Sequence, residues 1–115
     1  MIVDDDDLIR KYAALLLESA GYQVTGFARP KEALTSLQSG MQPDLFFTDV
    51  LLDGHMSGVQ LAKLARSIFP SLKVLYASGY AHPECFDEVP EDFYFLPKPY
   101  SRQKVLETVS RIIAI

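Results

Sequence analysis

Short apolar runs alternate with amphipathic helical patterns along this 115-residue chain, and this alternation restricts the fold more than any other feature. The apolar runs predict strands at residues 2–3, 22–27, 45–47, 74–77 and 93–96. Helical spacing predicts helices at 7–20, from Pro30 to a stop at Gly40, at about 58–69, and after an N-cap at Ser101. Strands joined in this way by helices predict an α/β fold whose parallel sheet is covered on both faces.

Each predicted helix has an apolar side, which we expect to face the sheet. The expected inward residues are Leu8, Ile9, Tyr12, Ala13, Leu16 and Leu17 in the first helix, Ala33, Leu34 and Leu37 in the second, Leu61, Leu64, Ala65 and Ile68 in the third, and Val105, Leu106, Val109, Ile112 and Ile113 in the last. Residues 82–92 contain Pro83 and Pro90, so only a short or irregular helix is expected there. The length suits one domain, residues 1–115, with a proper hydrophobic core.

Composition argues against several classes of function. A net charge of −4 and the lack of a basic stripe argue against nucleic-acid binding. No apolar stretch approaches the roughly 18 residues of a membrane span, and no signal peptide opens the chain, so a cytoplasmic location without membrane insertion is expected. Cys85 is a lone cysteine, and His55 and His82 have no second ligand at useful spacing, so a zinc or histidine metal site is not expected.

Four consecutive aspartates, Asp4 to Asp7, follow the first apolar run. Such a run can face water at a helix start, where carboxylates cap backbone N–H groups. Alternatively, part of it can hold a hard cation. We expect Asp6 and Asp7 to belong to the helix start, with Asp7 as the N-cap, and Asp4 and Asp5 to belong to a cation site.

Polar residues follow several of the predicted strands. Asp4 and Asp5 follow the first strand, Asp49 the third, Ser78 the fourth and Lys98 the fifth. Since sites in open parallel sheets form outside the carboxyl ends of the strands, these side chains are expected to meet in one cleft. Three carboxylates need positive charge to stay ionised together, and Mg²⁺ with Lys98 would supply it.

The motifs around these residues resemble those of the receiver domains of two-component response regulators, especially receivers attached to hybrid histidine kinases. The resemblance covers the whole chain and rests on Val3-Asp4-Asp5-Asp6, Phe47-Thr48-Asp49, Met56-Ser57-Gly58, Tyr76-Ala77-Ser78-Gly79-Tyr80 and Leu96-Pro97-Lys98-Pro99. It implies a flavodoxin-like (βα)5 fold, a doubly wound five-stranded parallel sheet with strand order 2-1-3-4-5.

The resemblance also implies roles for the acidic residues. Asp49 would be the phosphoacceptor that attacks a phosphohistidine on a partner. Asp5 and Asp49 would bind Mg²⁺ directly and Asp4 partly through water, and the backbone carbonyl of Leu51 would complete the protein ligands. The loop after Asp49 carries an additional carboxylate, Asp53, where many receivers have a proline.

Further implied roles concern the phosphoryl group and the response to it. Ser78 and Lys98 would each bind a phosphoryl oxygen, and the Lys98-Pro99 peptide bond would be cis. Ser78 and Phe95 would be the switch residues, although an aromatic at position 95 could equally serve core packing alone. Leu51 and Tyr80 occupy positions that influence the hydrolytic water, and their apolar bulk predicts slow self-dephosphorylation.

The resulting functional hypothesis is a phosphoacceptor signalling domain of a phosphorelay. It would not be an enzyme in the ordinary sense, although it would assist its own phosphorylation and dephosphorylation. Its partners would be a histidine kinase or phosphotransfer protein and a downstream protein or attached domain, and the sequence also permits a homodimer through the last helix. The alternatives are a pseudo-receiver that binds proteins without phosphorylation and an aspartate-nucleophile hydrolase, which Val50-Leu51 after Asp49 disfavours.

Overall fold

A computed structural model describes residues 1–50, 52, 56–78 and 94–114 of the chain, with Ser78 described by its backbone alone. In chain order, the elements are β1 (Ile2–Val3), α1 (Asp7–Ser19), β2 (Gly26–Phe27), α2 (Pro30–Gln38), β3 (Phe46–Asp49), α3 (Gly58–Ile68), β4 (Val74–Ser78), β5 (Tyr94–Pro97) and α4 (Arg102–Ile113). The predicted short helix at 82–92 lies outside the described residues.

The five strands form one parallel sheet in the order β2-β1-β3-β4-β5, which confirms the predicted topology. The order reverses direction between β1 and β3, so a crevice opens at the carboxyl ends of these two central strands. Because β1 and β3 pair through Val3 and Thr48, the residues that follow each of these positions emerge side by side at that edge. The topology therefore places Asp4 and Asp49 close together.

The core has two layers, one on each face of the sheet. Alternate residues of a strand point to opposite faces, and accordingly Phe46 packs towards α2 and α3 whereas Phe47 packs towards α1 and α4. Both phenylalanines are buried. Burial on both faces explains why the strands are continuously apolar in sequence.

Two predicted helix faces are narrower than expected. Leu8 and Tyr12 of α1 are 80% and 45% exposed, and Leu64 and Ile68 of α3 are 43% and 38% exposed. The prediction that these four residues face the core was wrong. Helical spacing includes apolar residues at the margins of a face, and only the position of the helix on the sheet decides which of them are covered.

The helix start in the acidic run also differs from the prediction by one residue. Asp6, not Asp7, is the N-cap of α1, since its carboxylate accepts hydrogen bonds from the backbone N–H groups of Leu8 and Ile9 at 3.0 and 3.1 Å. Asp7 is the first helical residue.

Strand β2 is shorter than the predicted 22–27. Among the described helices, none has the length and apolar character needed to cross a membrane.

Candidate functional site

The described residues include one group of three carboxylates at the carboxyl edge of the sheet. Asp4 and Asp5 follow β1 directly, and Asp49 is the last residue of β3. One carboxylate oxygen from each of the three lies within 4.8 Å of the others. Asp4 is buried, whereas Asp5 and Asp49 are partly exposed, so the group opens towards solvent on one side.

Lys98 joins two of these carboxylates. Its Nζ donates hydrogen bonds to Asp4 Oδ2 at 3.0 Å and to Asp49 Oδ2 at 2.9 Å. All three side chains are at most 15% exposed, so the contacts are only weakly screened by water. Burial lowers the pKa of Lys98, but the hydrogen bonds and negative charges of Asp49 and Asp4 outweigh it, and the pKa is raised above its ordinary value. Lys98 therefore stays charged at neutral pH.

The contacts of Asp4 and Asp5 differ. Asp4 Oδ1 accepts a hydrogen bond from the backbone N–H of Asp6 at 2.9 Å, so both carboxylate oxygens of Asp4 are engaged. The Asp5 carboxylate has no hydrogen bond or ion pair within the described part of the chain. Asp5 can therefore take a direct ligand at little cost, whereas Asp4 would have to release or share a donor.

The backbone around Asp49 is held by several neighbours. The buried Thr48 hydroxyl donates to the carbonyl oxygen of Asp49 at 3.0 Å. The backbone N–H of the next residue, Val50, donates a hydrogen bond to the carbonyl oxygen of Ala77 at 2.9 Å. The carbonyl oxygen of Val50 accepts a hydrogen bond from the backbone N–H of Gly58 at 2.8 Å. These bonds fix the direction in which the chain leaves β3 and hence the orientation of the Asp49 side chain.

The donor set suits a hard divalent cation. Three carboxylates and one ammonium group leave a formal charge of −2 in the cluster (−3 + 1). Oxygen donors at this spacing are those that Mg²⁺ or Ca²⁺ prefers. A divalent cation would neutralise the cluster, so the residues present fit the predicted metal.

The other predicted site residues are described less fully. Ser78 ends β4, one residue after Ala77, which pairs with Asp49, so its backbone lies at the same edge of the sheet. Its side chain and the carbonyl of Leu51, like Asp53 and Tyr80, lie outside what the structure describes. Phe95 lies on β5 and is 37% exposed, so it is not part of the buried core, and its role as a switch residue stays a prediction. The Lys98-Pro99 peptide bond is cis, as the resemblance predicted.

Two residues that the sequence interpretation missed contact this region. Tyr100 stacks on Tyr12 with ring centroids 6.3 Å apart and packs against Phe47 at 5.9 Å. Arg10 of α1 donates a hydrogen bond to the backbone carbonyl of Asp4 at 2.8 Å. The spacing of Arg10 three residues after Asp7 is one that favours an ion pair on the helix surface, but nothing in the sequence indicates the contact with Asp4.

Cavities lined by described residues lie at both ends of the sheet. An open, largely apolar cavity of about 310 Å³ adjoins Lys98 and is lined by Ile9, Tyr12, Pro99 and Tyr100. A larger one of about 400 Å³ lies at the amino ends of the strands and contains none of the predicted site residues. Lys98 is the one predicted site residue in the lining of the smaller cavity, and Asp4, Asp5 and Asp49 line neither of the two.

The doubly wound parallel sheet, with an acidic cluster and Lys98 at its carboxyl edge, is the arrangement that the receiver resemblance implies. The sequence model for the response regulator receiver domain matches residues 1–110, and the chain belongs to this family. The family is one of two-component signalling domains rather than of classical enzymes.

Individual relatives agree with this membership. The chain is 30% identical to the response regulator receiver protein CpdR of Brucella abortus, with 98% of this chain and 94% of CpdR covered. It is 33% identical to the sensor kinase CckA of the same organism, but the match spans only 12% of CckA. Among solved structures, a receiver protein from Sinorhizobium medicae has a TM-score of 0.89 at 28% identity, covering 98% of this chain and 91% of that one. The Vibrio cholerae chemotaxis protein CheY4 has a TM-score of 0.86 at 29% identity, covering 96% and 94%.

Proposed function

We propose that this receiver accepts a phosphoryl group on Asp49 from the phosphohistidine of a histidine kinase or phosphotransfer protein. The observation that carries the proposal is the pair of hydrogen bonds from Lys98 Nζ to Asp4 and Asp49, in a cluster that also contains Asp5. A structural ion pair would need one carboxylate for one lysine. Two further carboxylates leave uncompensated negative charge, which is the expected feature of a site that binds a cation and then an anionic group.

The chain's own residues account for most of what phosphoryl transfer needs. A carboxylate oxygen of Asp49 attacks phosphorus, the bond from phosphorus to the donor imidazole nitrogen breaks, and the imidazole takes up a proton. Little covalent assistance is required beyond alignment and neutralisation of the phosphoryl oxygens. Lys98 remains protonated and can move from the Asp49 carboxylate to a phosphoryl oxygen, while the backbone bonds around Asp49 keep its side chain oriented.

The proposed cofactor is Mg²⁺, held by Asp5 and Asp49 directly, by Asp4 partly through water, and by the backbone carbonyl of Leu51. Bound there, it supplies positive charge for the phosphoryl oxygens. Both oxygens of Asp4 are engaged, whereas the Asp5 carboxylate has no partner among the described residues, and this difference supports the division of roles. We further propose that Ser78 binds a phosphoryl oxygen and that Ser78 and Phe95 form the switch, because phosphorylation adds charge and acceptor oxygens next to the end of β4.

The proposed partners are the phosphodonor and a downstream protein or attached domain. The chain spans nearly all of CpdR but only a small part of CckA, so the relatives include both a protein of receiver size and a far longer kinase. Dimerisation through α4, a cytoplasmic location and the absence of nucleic-acid binding remain predictions.

Intact mass measurement after incubation with acetyl phosphate and Mg²⁺ tests the proposal. We expect wild type to gain the mass of one phosphoryl group, and Asp49→Asn and a magnesium-free sample to gain none. No gain in wild type would favour the phosphorylation-independent binding module. Continuous turnover of a small phosphate ester would instead indicate a hydrolase.

A further inference from the structure

Arg10 links the first helix to the end of the first strand. One guanidinium nitrogen, Nη1, donates to the backbone carbonyl of Asp4 at 2.8 Å, and the other, Nη2, donates to the Asp7 carboxylate at 2.6 Å. Long side chains of a helix point towards its N-terminus, which directs Arg10 back over the strand end. Its side chain is 17% exposed, whereas that of Asp7 is 70% exposed, so the bond to Asp4 is the more sheltered of the two.

The carbonyl that Arg10 holds belongs to the peptide bond between Asp4 and Asp5. The N–H of Asp4 is bonded to Phe27 O of β2 at 3.1 Å, so the backbone of Asp4 is fixed at its N–H by β2 and at its carbonyl by Arg10. Without this bond, a change of ψ at Asp4 or of φ at Asp5 that the other dihedral does not compensate would turn the Asp5 carboxylate relative to that of Asp4. The guanidinium bond therefore acts on both members of the acidic pair.

The stem of Arg10 is held as well. A Cβ atom added at Gly26 of β2 would lie 3.3 Å from Arg10 Cδ, which shows that the methylene stem passes directly over this glycine. A side chain packed along its stem loses less conformational freedom when its head group forms a bond. Arg10 thus connects α1, β1 and β2 at the edge where the acidic cluster opens.

We propose that Arg10 is a positioning residue for the divalent-cation site, acting through the Asp4–Asp5 peptide and not by contact with the ion. The proposal rests on the proposed function for the identity of the ion as Mg²⁺. In this role a positively charged residue strengthens the binding of a cation, whereas its charge alone would weaken that binding by repulsion. Removing a nearby positive charge should strengthen cation binding, whereas releasing the peptide should weaken it.

Arg10→Met separates these two effects. Methionine keeps an unbranched stem for packing over Gly26 and removes both the charge and the hydrogen bonds. Outer contacts that orient metal ligands typically account for 10–100-fold in affinity, so we expect Mg²⁺ affinity to fall about tenfold. The measurement is a Mg²⁺ titration of the full chain followed by amide NMR shifts, with thermal unfolding confirming that the variant is folded. Unchanged or higher affinity in folded Arg10→Met would overturn the proposal.

Asp7→Asn is the matched control, because it weakens the outer ion pair of Arg10 and leaves the bond to Asp4. We expect its Mg²⁺ affinity to stay within about twofold of wild type, and a tenfold loss would overturn the assignment to the Asp4 contact. Arg10→Lys keeps the charge but lacks the planar guanidinium, whose two terminal nitrogens donate to Asp4 and Asp7 at the same time. It is expected to lose several-fold in affinity, and wild-type affinity in this variant would overturn the proposal even if Arg10→Met does not fold.

The Mg²⁺ dependence of phosphorylation tests the role of Arg10 independently of the NMR titration. In Arg10→Met, the Mg²⁺ concentration for half-maximal phosphorylation by acetyl phosphate should rise about tenfold, while the rate at saturating Mg²⁺ recovers to near wild type. If wild type binds Mg²⁺ but accepts no phosphoryl group, the proposed function fails, and the NMR titration still decides the role of Arg10. If wild type binds no Mg²⁺, the positioning role is overturned.

Discussion

At the scale of single residues, the four aspartates of the acidic run have two different kinds of surroundings. Asp4 and Asp5 face the strand edge with Asp49, whereas Asp6 caps α1 and Asp7 pairs with Arg10. The carboxylates are chemically identical, and the difference arises from where along the run the chain leaves the extended conformation and enters the helix. Substitution of neighbours should therefore have sharply different effects.

Asp5→Asn is expected to abolish measurable Mg²⁺ binding and phosphorylation, as is the Asp4→Asn/Asp5→Asn double variant. The Asp5 carboxylate has no partner among the described residues, so the change removes a ligand without breaking an existing contact. Asp6→Asn is the control, since asparagine caps helices about as well as aspartate. Titration of each variant with Mg²⁺ measures the effect, and equal losses in Asp5→Asn and Asp6→Asn would contradict the division of the run.

Tyr100 predicts a loss of stability at alkaline pH. Burial raises the pKa of Tyr100 to about 12 from its ordinary value of 10.0. Between these two values the unfolded chain releases the phenolic proton more readily than the folded chain, so the free energy of unfolding falls as pH rises. Lys98 contributes in the same direction, because a pKa that is higher in the folded than in the unfolded chain stabilises the fold. That stabilisation is lost as the pH rises through the pKa of Lys98 in the folded chain.

Urea unfolding of wild type and Tyr100→Phe between pH 9 and 11.5 tests this dependence. The variant should lose less stability than wild type across that interval, because it lacks the phenolic group but keeps the ring that packs on Tyr12 and Phe47. Parallel curves for the two proteins would show that Tyr100 does not titrate differently on folding.

At the scale of the elements, helix α3 is anchored next to Asp49, the proposed phosphoacceptor. Ser57 and Gln60 form a reciprocal capping box at its start, with bonds of 3.1 and 2.9 Å. The first helical residue, Gly58, lies so close to the end of β3 that a Cβ atom there would be 1.8 Å from the carbonyl oxygen of Asp49. The helix can start at this point only because the residue has no side chain.

Gly58→Ala is therefore expected to destabilise the fold and to displace Asp49. Overpacking of this kind typically costs about 1–3 kcal/mol, and the obstructing atom belongs to backbone that is itself hydrogen-bonded. Chemical denaturation measures the loss, and phosphorylation by acetyl phosphate should slow in the same variant.

Gly26→Ala serves as the comparison for Gly58→Ala. Its new Cβ atom would meet the flexible stem of Arg10 at 3.3 Å and not rigid backbone, so a smaller loss of stability is expected. An equal loss in the two variants would mean that the close approach of Gly58 to Asp49 is relieved without cost.

At the scale of the whole molecule, the sheet collects charge that is distant in sequence. Lys98 bonds to carboxylates 94 and 49 residues away along the chain. The cluster keeps a negative excess in a partly buried place, which opposes folding until a cation compensates it. Stability of the whole chain should consequently depend on Mg²⁺.

Mg²⁺ is expected to raise the thermal unfolding midpoint of wild type. A ligand that binds only the folded state adds about 2.7 kcal/mol when its concentration is 100 times its dissociation constant. Scanning calorimetry with and without MgCl₂, at ionic strength matched with NaCl, measures the shift, which should vanish in Asp5→Asn. A rise of the same size in that variant would place the stabilising ion elsewhere.

Much of this architecture could be predicted from short stretches of sequence. The strand runs around Phe46 and Val74, the stop at Gly40 with its positive φ, and the cap at Ser101 depend on neighbours within a few residues, and all appear in the structure. The family motifs likewise predicted the strand order. The errors at Leu8 and Leu64 arose where helical periodicity alone cannot say how far a helix is turned against the sheet.

The sequence by itself determined the alternation of strands and helices, the acidic and basic residues at the strand ends, and the family to which they belong. These features depend on local periodicity and residue type, both of which the sequence gives directly. Only the tertiary structure decided that Asp6 caps the helix, that Lys98 bonds to both Asp4 and Asp49, and that Arg10 holds the peptide between Asp4 and Asp5. Those contacts depend on the angles at which helices cross a twisted sheet, and such angles are set by packing of the whole core.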